Sequence, residues 1–123
     1  MIGGTVTADL EAIVPLIVLG AGGQQQPLDA VLDTGFSGFL TLASSLIAAL
    51  GLTWLGREQG ILADDSVELF DVYRAVVLWD GQPRPVEVDA VDGRPLLGTG
   101  LLQGHEVRIE VLVGGRLSIV ALP

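Results

Sequence analysis

Apolar residues along this chain recur in short runs that alternate with polar positions and are cut by glycine, proline and acidic residues. A period near two over such lengths predicts strands rather than helices. Gly4 to Leu10 reads as a modest first strand. Ile13 to Leu19 is a dense β-branched run, and its Pro15 predicts an edge position or a bulge. Gly20 to Gly23 is a turn, Pro27 to Leu32 returns toward the core, and Phe39 to Leu42 is a further short strand. Ser44 to Leu50 is the one convincing helix. Ser44 or Ser45 can cap it, Leu46, Ile47 and Leu50 share a face, and Gly51 supplies a stop. Beyond Gly56 the pattern is β again. Gly60 to Ala63 and Val67 to Val72 flank Asp64-Asp65-Ser66, a hairpin tip by composition. Tyr73 to Trp79 joins Pro85 to Val91 through Asp80-Gly81-Gln82. Leu96-Leu97 is a brief run, and Glu106 to Val113 pairs with Arg116 to Leu122 across Gly114-Gly115. Some nine or ten short strands with one short helix predict an all-β fold, a small closed barrel or folded, mostly antiparallel sheet.

The 123 residues make a single domain, 1–123, with no linker or low-complexity stretch inside it. Composition then narrows the function classes. Fifteen acidic residues against six basic ones give a formal charge of −9, which argues against nucleic acid and anionic membrane as partners. Without cysteine, and with His105 as the single histidine, disulfides and thiolate metal sites are excluded; no metal and no cofactor are expected. The stretch from Thr34 to Gly56 carries no charge over 23 residues, long enough to cross a bilayer. Ten of these are Gly, Ser or Thr, so a strand, a turn and a short capped helix explain it better. Met1-Ile2-Gly3-Gly4 lacks the basic residues and apolar run of a signal peptide, and a cytoplasmic protein is expected.

Several familiar signatures fail on spacing. Gly98-Thr99-Gly100 with Gly104 lacks the register and the following helix of a dinucleotide loop, and Gly35-Phe36-Ser37-Gly38 is followed by Phe39 where a nucleophile elbow needs Gly. His105 reads as a surface histidine, and Asp64, Asp65, Glu68 and Asp71 as a solvated hairpin without calcium-loop spacing. No second placed acid and no aromatic sugar platform suggest a glycosidase. Asp33-Thr34-Gly35 stands apart. By itself the triplet is an ordinary turn, but it ends the apolar strand Ala30-Val31-Leu32, where an unpaired carboxylate is expensive unless it is kept for a purpose.

Val31-Leu32-Asp33-Thr34-Gly35-Phe36-Ser37-Gly38, followed by Pro95-Leu96-Leu97-Gly98, resembles the retropepsin-like aspartic proteases, and in particular their small bacterial members. The resemblance covers essentially the whole chain and implies one half of a pepsin-like two-lobed architecture. Three departures are plain: Asp64-Asp65-Ser66 replaces a glycine-rich flap tip, Thr99-Gly100 stands where viral members carry Arg followed by Asn or Asp, and Phe36 replaces a small residue.

The resemblance implies an endopeptidase in which two carboxylates share one proton, active best at mildly acidic pH. With one Asp-Thr-Gly per chain, a homodimer that joins Asp33 of two chains is then required. Asp33 is implied as shared acid and base, Thr34 as a brace of the paired turns, and Gly35 as the point of close backbone approach. Ala63, Asp64, Asp65 and Ser66 are implied in a flap over an extended peptide, with Leu96, Leu97 and Gly98 beside it. The apolar chain ends, Ile2 to Thr7 and Leu117 to Leu122, are expected to pair across the two-fold. The competing reading is a non-cleaving peptide-binding or interaction module on the same barrel.

Overall fold

The computed structural model of the chain describes residues 1–61 and 64–123. Ten strands and two short helices follow one another as β1 (Ile2–Val6), β2 (Ala12–Leu19), β3 (Gln25–Leu32), β4 (Leu40–Leu42), α1 (Ser44–Leu50), β5 (Thr53–Ile61), β6 (Val67–Trp79), β7 (Gln82–Ala90), β8 (Leu96–Leu97), α2 (Thr99–Leu102), β9 (His105–Ile109) and β10 (Arg116–Ala121). All strands belong to one sheet, ordered β5-β6-β7-β4-β8-β3-β2-β1-β10-β9. A further pairing of β6 with β2 folds it back on itself. Most ladders are antiparallel, as the hairpin-rich sequence predicts. The two exceptions, β3–β8 and β4–β7, are parallel.

The β2 run shows how sequence sets this arrangement. Val14, Leu16 and Val18 alternate into the core and are almost completely buried, as a strand period of two requires. Pro15 lies inside the sheet yet costs no ladder bond. β2 pairs with β1 only at Ala12 and Ile13 and with β6 only from Ile17 to Leu19, so Pro15 falls in the gap between those partners. The core they enter joins Leu40, Leu42, Val77, Val88, Leu97 and Leu101 with Ile47 and Leu50 of α1.

Several boundaries differ from expectation. β6 is one 13-residue strand rather than two, because its first half pairs with β5 and its second with β7. The β6–β7 connection is a tight turn with Asp80 and Gly81 both at positive φ, the conformation that Asp-Gly suits. β5 starts at Thr53, earlier than the pattern predicts, and tolerates Gly56 through a register shift between Trp54 and Gly56. The first strand ends at Val6, where Leu10 N–H donates to Thr7 O and closes a turn. The C-terminal hairpin is shorter than expected, with Val111 to Val113 in the connection. α1 begins as predicted, but its N-cap position is Ala43 and no side chain caps it. Gly51, at φ 63°, closes its C-terminus. α2, unpredicted, is a single turn. No helix among the described residues is long and apolar enough to cross a membrane.

The chain ends are used differently from the sequence expectation. β10 pairs with β1 from Ile2↔Ile119 to Thr5↔Arg116 and with β9 on its other side, all within one chain. Leu117 and Ile119 are buried in the core. Deleting residues 117–123 is therefore expected to unfold the protein rather than only to loosen a dimer. Loss of about 2–5 kcal/mol for each large core side chain exceeds what a small domain can spare. A cooperative thermal transition surviving in the truncated chain would contradict this.

Candidate active site

β3 delivers its apolar face to the core and ends at Leu32, so the next residue, Asp33, leaves the sheet where the chain turns. The turn is closed by the side chain it carries: Gly35 N–H donates to Asp33 Oδ1 at 2.9 Å, and Phe36 N–H to Asp33 O at 3.2 Å. Asp33 is partly exposed, and Thr34 and Gly35 are exposed.

The second motif supports this turn from behind. β8 lies parallel to the end of β3, with Val31 opposite Leu96 and Leu32 opposite Leu97. Val31 N–H donates to Pro95 O at 2.8 Å, and Asp33 N–H to Leu97 O at 2.9 Å. The following residues interlock with the chain leaving the turn. Gly98 N–H donates to Phe39 O at 3.0 Å, Thr99 N–H to Phe36 O at 2.9 Å and Gly100 N–H to Gly38 O at 3.0 Å. Thr99 Oγ1 adds a bond to Phe36 O at 3.3 Å. Such close backbone approach leaves no room for a Cβ at Gly98, which would lie 2.2 Å from Gly38 O.

Thr41 ties the motif to β4: its buried Oγ1 accepts the Leu96 N–H at 2.8 Å. Thr41→Val keeps the shape and orphans that N–H. It is expected to cost about 1–3 kcal/mol, read as a lowered urea midpoint with unchanged slope.

The structure thus brings Asp33, Thr34 and Gly35 together with Leu96, Leu97 and Gly98. It does not bring Asp64, Asp65 and Ser66 to them. These three lie exposed at the far end of the β5–β6 hairpin, where Asp64 Oδ1 accepts both the backbone N–H and the hydroxyl of Ser66. Those bonds hold the Asp64 carboxyl below its usual range. Ala63 lies outside the described residues.

An open groove of about 620 Å³ borders Thr34 and Ser37 and is closed on its other side by α2, His105 and Val107. A cavity of similar size, about 670 Å³, lies among Ile2, Pro15, Leu28 and Asp80 and contains none of these site residues. His105 is more than a surface residue: its Nε2 accepts from Trp79 Nε1–H at 3.2 Å, its Nδ1 lies 3.0 Å from Gln103 O, and its ring meets Trp79 edge-on. With Nε2 accepting, the ring proton sits on Nδ1 and is donated to Gln103 O. Among the described residues no group of three or more His, Cys, Asp or Glu side chains is placed to hold a metal.

One carboxylate was not singled out by sequence. Asp89 on β7 is half-buried, and its carboxyl is pushed up to about 6, first by burial and then by Glu58 and Glu87. The protonated form is the one the fold prefers. The stability tied to it is complete below the ordinary value near 3.8 and is lost as pH rises through about 6. Glu87 and Asp89 alternate with the core residues Val86 and Val88, which in sequence reads as a solvated face. Only the non-local β4–β7 pairing buries Asp89 beside Gly38, and no sequence signal announces that pairing.

No protein-family model matches the sequence, and no curated protein matches it. Among solved structures, the chain is similar to the crystal structure of a retropepsin-like aspartic protease from Rickettsia conorii. The TM-score is 0.59 at 14% sequence identity, over 99% of this chain and 92% of that one. The fold is retropepsin-like.

Proposed function

We propose that this chain is a homodimeric aspartic endopeptidase whose catalytic pair is Asp33 from each of two copies. The observation that supports it most is the solvent-accessible Asp33-Thr34-Gly35 turn, its Asp33 partly exposed and held from behind by Leu97, on a retropepsin-like fold. One such triplet per chain makes the reaction centre incomplete without a second copy.

Two carboxylates brought within hydrogen-bond distance cannot both ionise readily, so the pair holds one proton. The ionised member takes a proton from a bound water as it attacks the peptide carbonyl, and the protonated member donates to the developing oxyanion. On collapse the proton taken from water passes to the departing amine. The carboxylate that protonated the oxyanion takes its proton back as the product carbonyl forms, so the pair again holds one proton. The Gly35 N–H bond to Asp33 Oδ1 keeps each carboxylate oriented. Thr34, exposed beside the groove, braces the turn against its counterpart. The β5–β6 hairpin, with Asp64, Asp65 and Ser66 near its tip, covers an extended peptide whose alternate side chains enter pockets on either side.

The reading is tested by incubating a diverse peptide library with the protein near pH 5 over a range of concentrations. Cleavage that rises faster than linearly with protein concentration is expected while dimers are scarce. Binding of peptides with no cleavage, at concentrations where dimers are seen, would replace the enzyme by a peptide-binding module.

A further inference from the structure

We propose that Asp89 makes this site selective for peptides carrying an arginine or lysine side chain, which it receives at the base of the β5–β6 hairpin. The inference rests on the protease reading above and names its substrate class.

Asp89 is placed on the wall between hairpin and catalytic turn. It pairs with Val72 of β6 and, in parallel register, with Thr41 of β4. Cross-strand partners share a face, so Asp89 lies on the face of Val72, and Phe70 with its partner Glu58 lies two residues further along the hairpin on that face. At its other side is the segment that leaves the catalytic turn. A Cβ on Gly38 would lie 3.3 Å from Asp89 Oδ2, and it would meet the ring of Phe36 at 2.5 Å. The carboxylate therefore stands beside a glycine, with the Phe36 ring close by, between the strand that would cover the peptide and the turn that would cut it.

Among the described residues no cation is paired with Asp89, and no hydrogen bond or ion pair reaches its side chain. Arg57 pairs with Asp71, Arg94 with Glu11, Arg108 with Glu106 and Arg116 with Glu110. Arg84 donates to Leu101 O and lies over Trp79. The remaining arginine, Arg74, stands opposite Glu87 in the β6–β7 ladder. The charged groups that bear on Asp89 are Glu58 from β5 and Glu87 from β7; its partners Thr41 and Val72 and the neighbouring Gly38 carry no charge. A half-buried carboxylate without a partner is costly to the fold. A guanidinium or ammonium arriving on a peptide relieves that cost.

Binding is measured by fluorescence anisotropy on the Asp33→Asn protein, so that no peptide is consumed. Peptides carry Arg, Lys or norleucine at each position in turn, and cleavage of the same peptides by protein with Asp33 intact is followed in parallel. At one position Arg and Lys are expected to bind about tenfold or more tightly than norleucine at about pH 7.5. That ratio is expected to shrink toward one at about pH 5, where the carboxyl is protonated. Asp89→Asn should bring the ratio close to one at both values, and Asp89→Glu should restore part of it. A ratio near one in the parent protein, or a ratio that Asp89→Asn leaves intact, overturns the inference. Selective binding with no cleavage of any peptide supports Asp89 as selector and overturns the protease reading. Cleavage with no Asp89-dependent selectivity does the reverse.

Discussion

Asp33→Asn is expected to lower kcat/KM for peptide cleavage by about a thousandfold or more, the scale of a lost general acid–base. Asn is close to isosteric, and its side-chain oxygen can still accept the Gly35 N–H that Asp33 Oδ1 accepts at 2.9 Å. The turn, the support from Leu97 and the fold should therefore survive. What disappears is the capacity to hold and release a proton, and in the proposed dimer it disappears twice, because a two-fold would put the same change on both sides of the centre. Circular dichroism and sedimentation should match the parent protein while peptide cleavage is lost. Undiminished cleavage would show that another residue carries the chemistry.

Gly98→Ala should produce a large loss of stability for the addition of a single methyl group. The added Cβ would sit 2.2 Å from Gly38 O, 2.6 Å from Phe36 O and 2.6 Å from a Phe36 ring carbon. Two of those three atoms are backbone, and both belong to the segment that Gly98, Thr99 and Gly100 hold through their N–H groups. No rotamer change relieves such a clash. The interlock must open, at a cost of about 3 kcal/mol or more. Opening it also shifts the support behind Asp33, so cleavage should fall together with stability. Gly3→Ala is the control: nothing lies within 4 Å of its Cβ, and its urea midpoint should move by no more than about 0.5 kcal/mol equivalent. Equal midpoints for the two variants would contradict the packing described for Gly98.

Local features were the ones legible in sequence. The β2 run, the α1 stop at Gly51, the Asp80-Gly81 turn and the hairpin ending near Asp64-Asp65 depend on residues close together in the chain, and each is found. The juxtaposition of Asp33-Thr34-Gly35 with Leu96-Leu97-Gly98 is long-range, and a family resemblance rather than periodicity points to it. Parallel pairing explains most of what was missed. β4 meets β7, and β3 meets β8, through connections that leave no alternation or turn signal, so the burial of Asp89 and the role of Thr41 were invisible. The partners of the chain ends are hidden from sequence for a related reason. An apolar edge in sequence does not say whether its partner is another copy or, as for β1 and β10, another strand of the same chain. The sequence neighbours of His105, Gly104 and Glu106, point to the surface, whereas its partner Trp79 comes from β6.

The central claim, that one active site is built from two chains, is tested most directly by subunit mixing. Parent protein and Asp33→Asn are combined at constant total concentration, allowed to exchange, and assayed for cleavage. If both copies of Asp33 are needed, activity follows the square of the parent fraction, so an equal mixture retains about one quarter of the starting rate when dimers are saturated. A linear decline, with about one half retained, would mean that each chain works alone and would contradict the shared site.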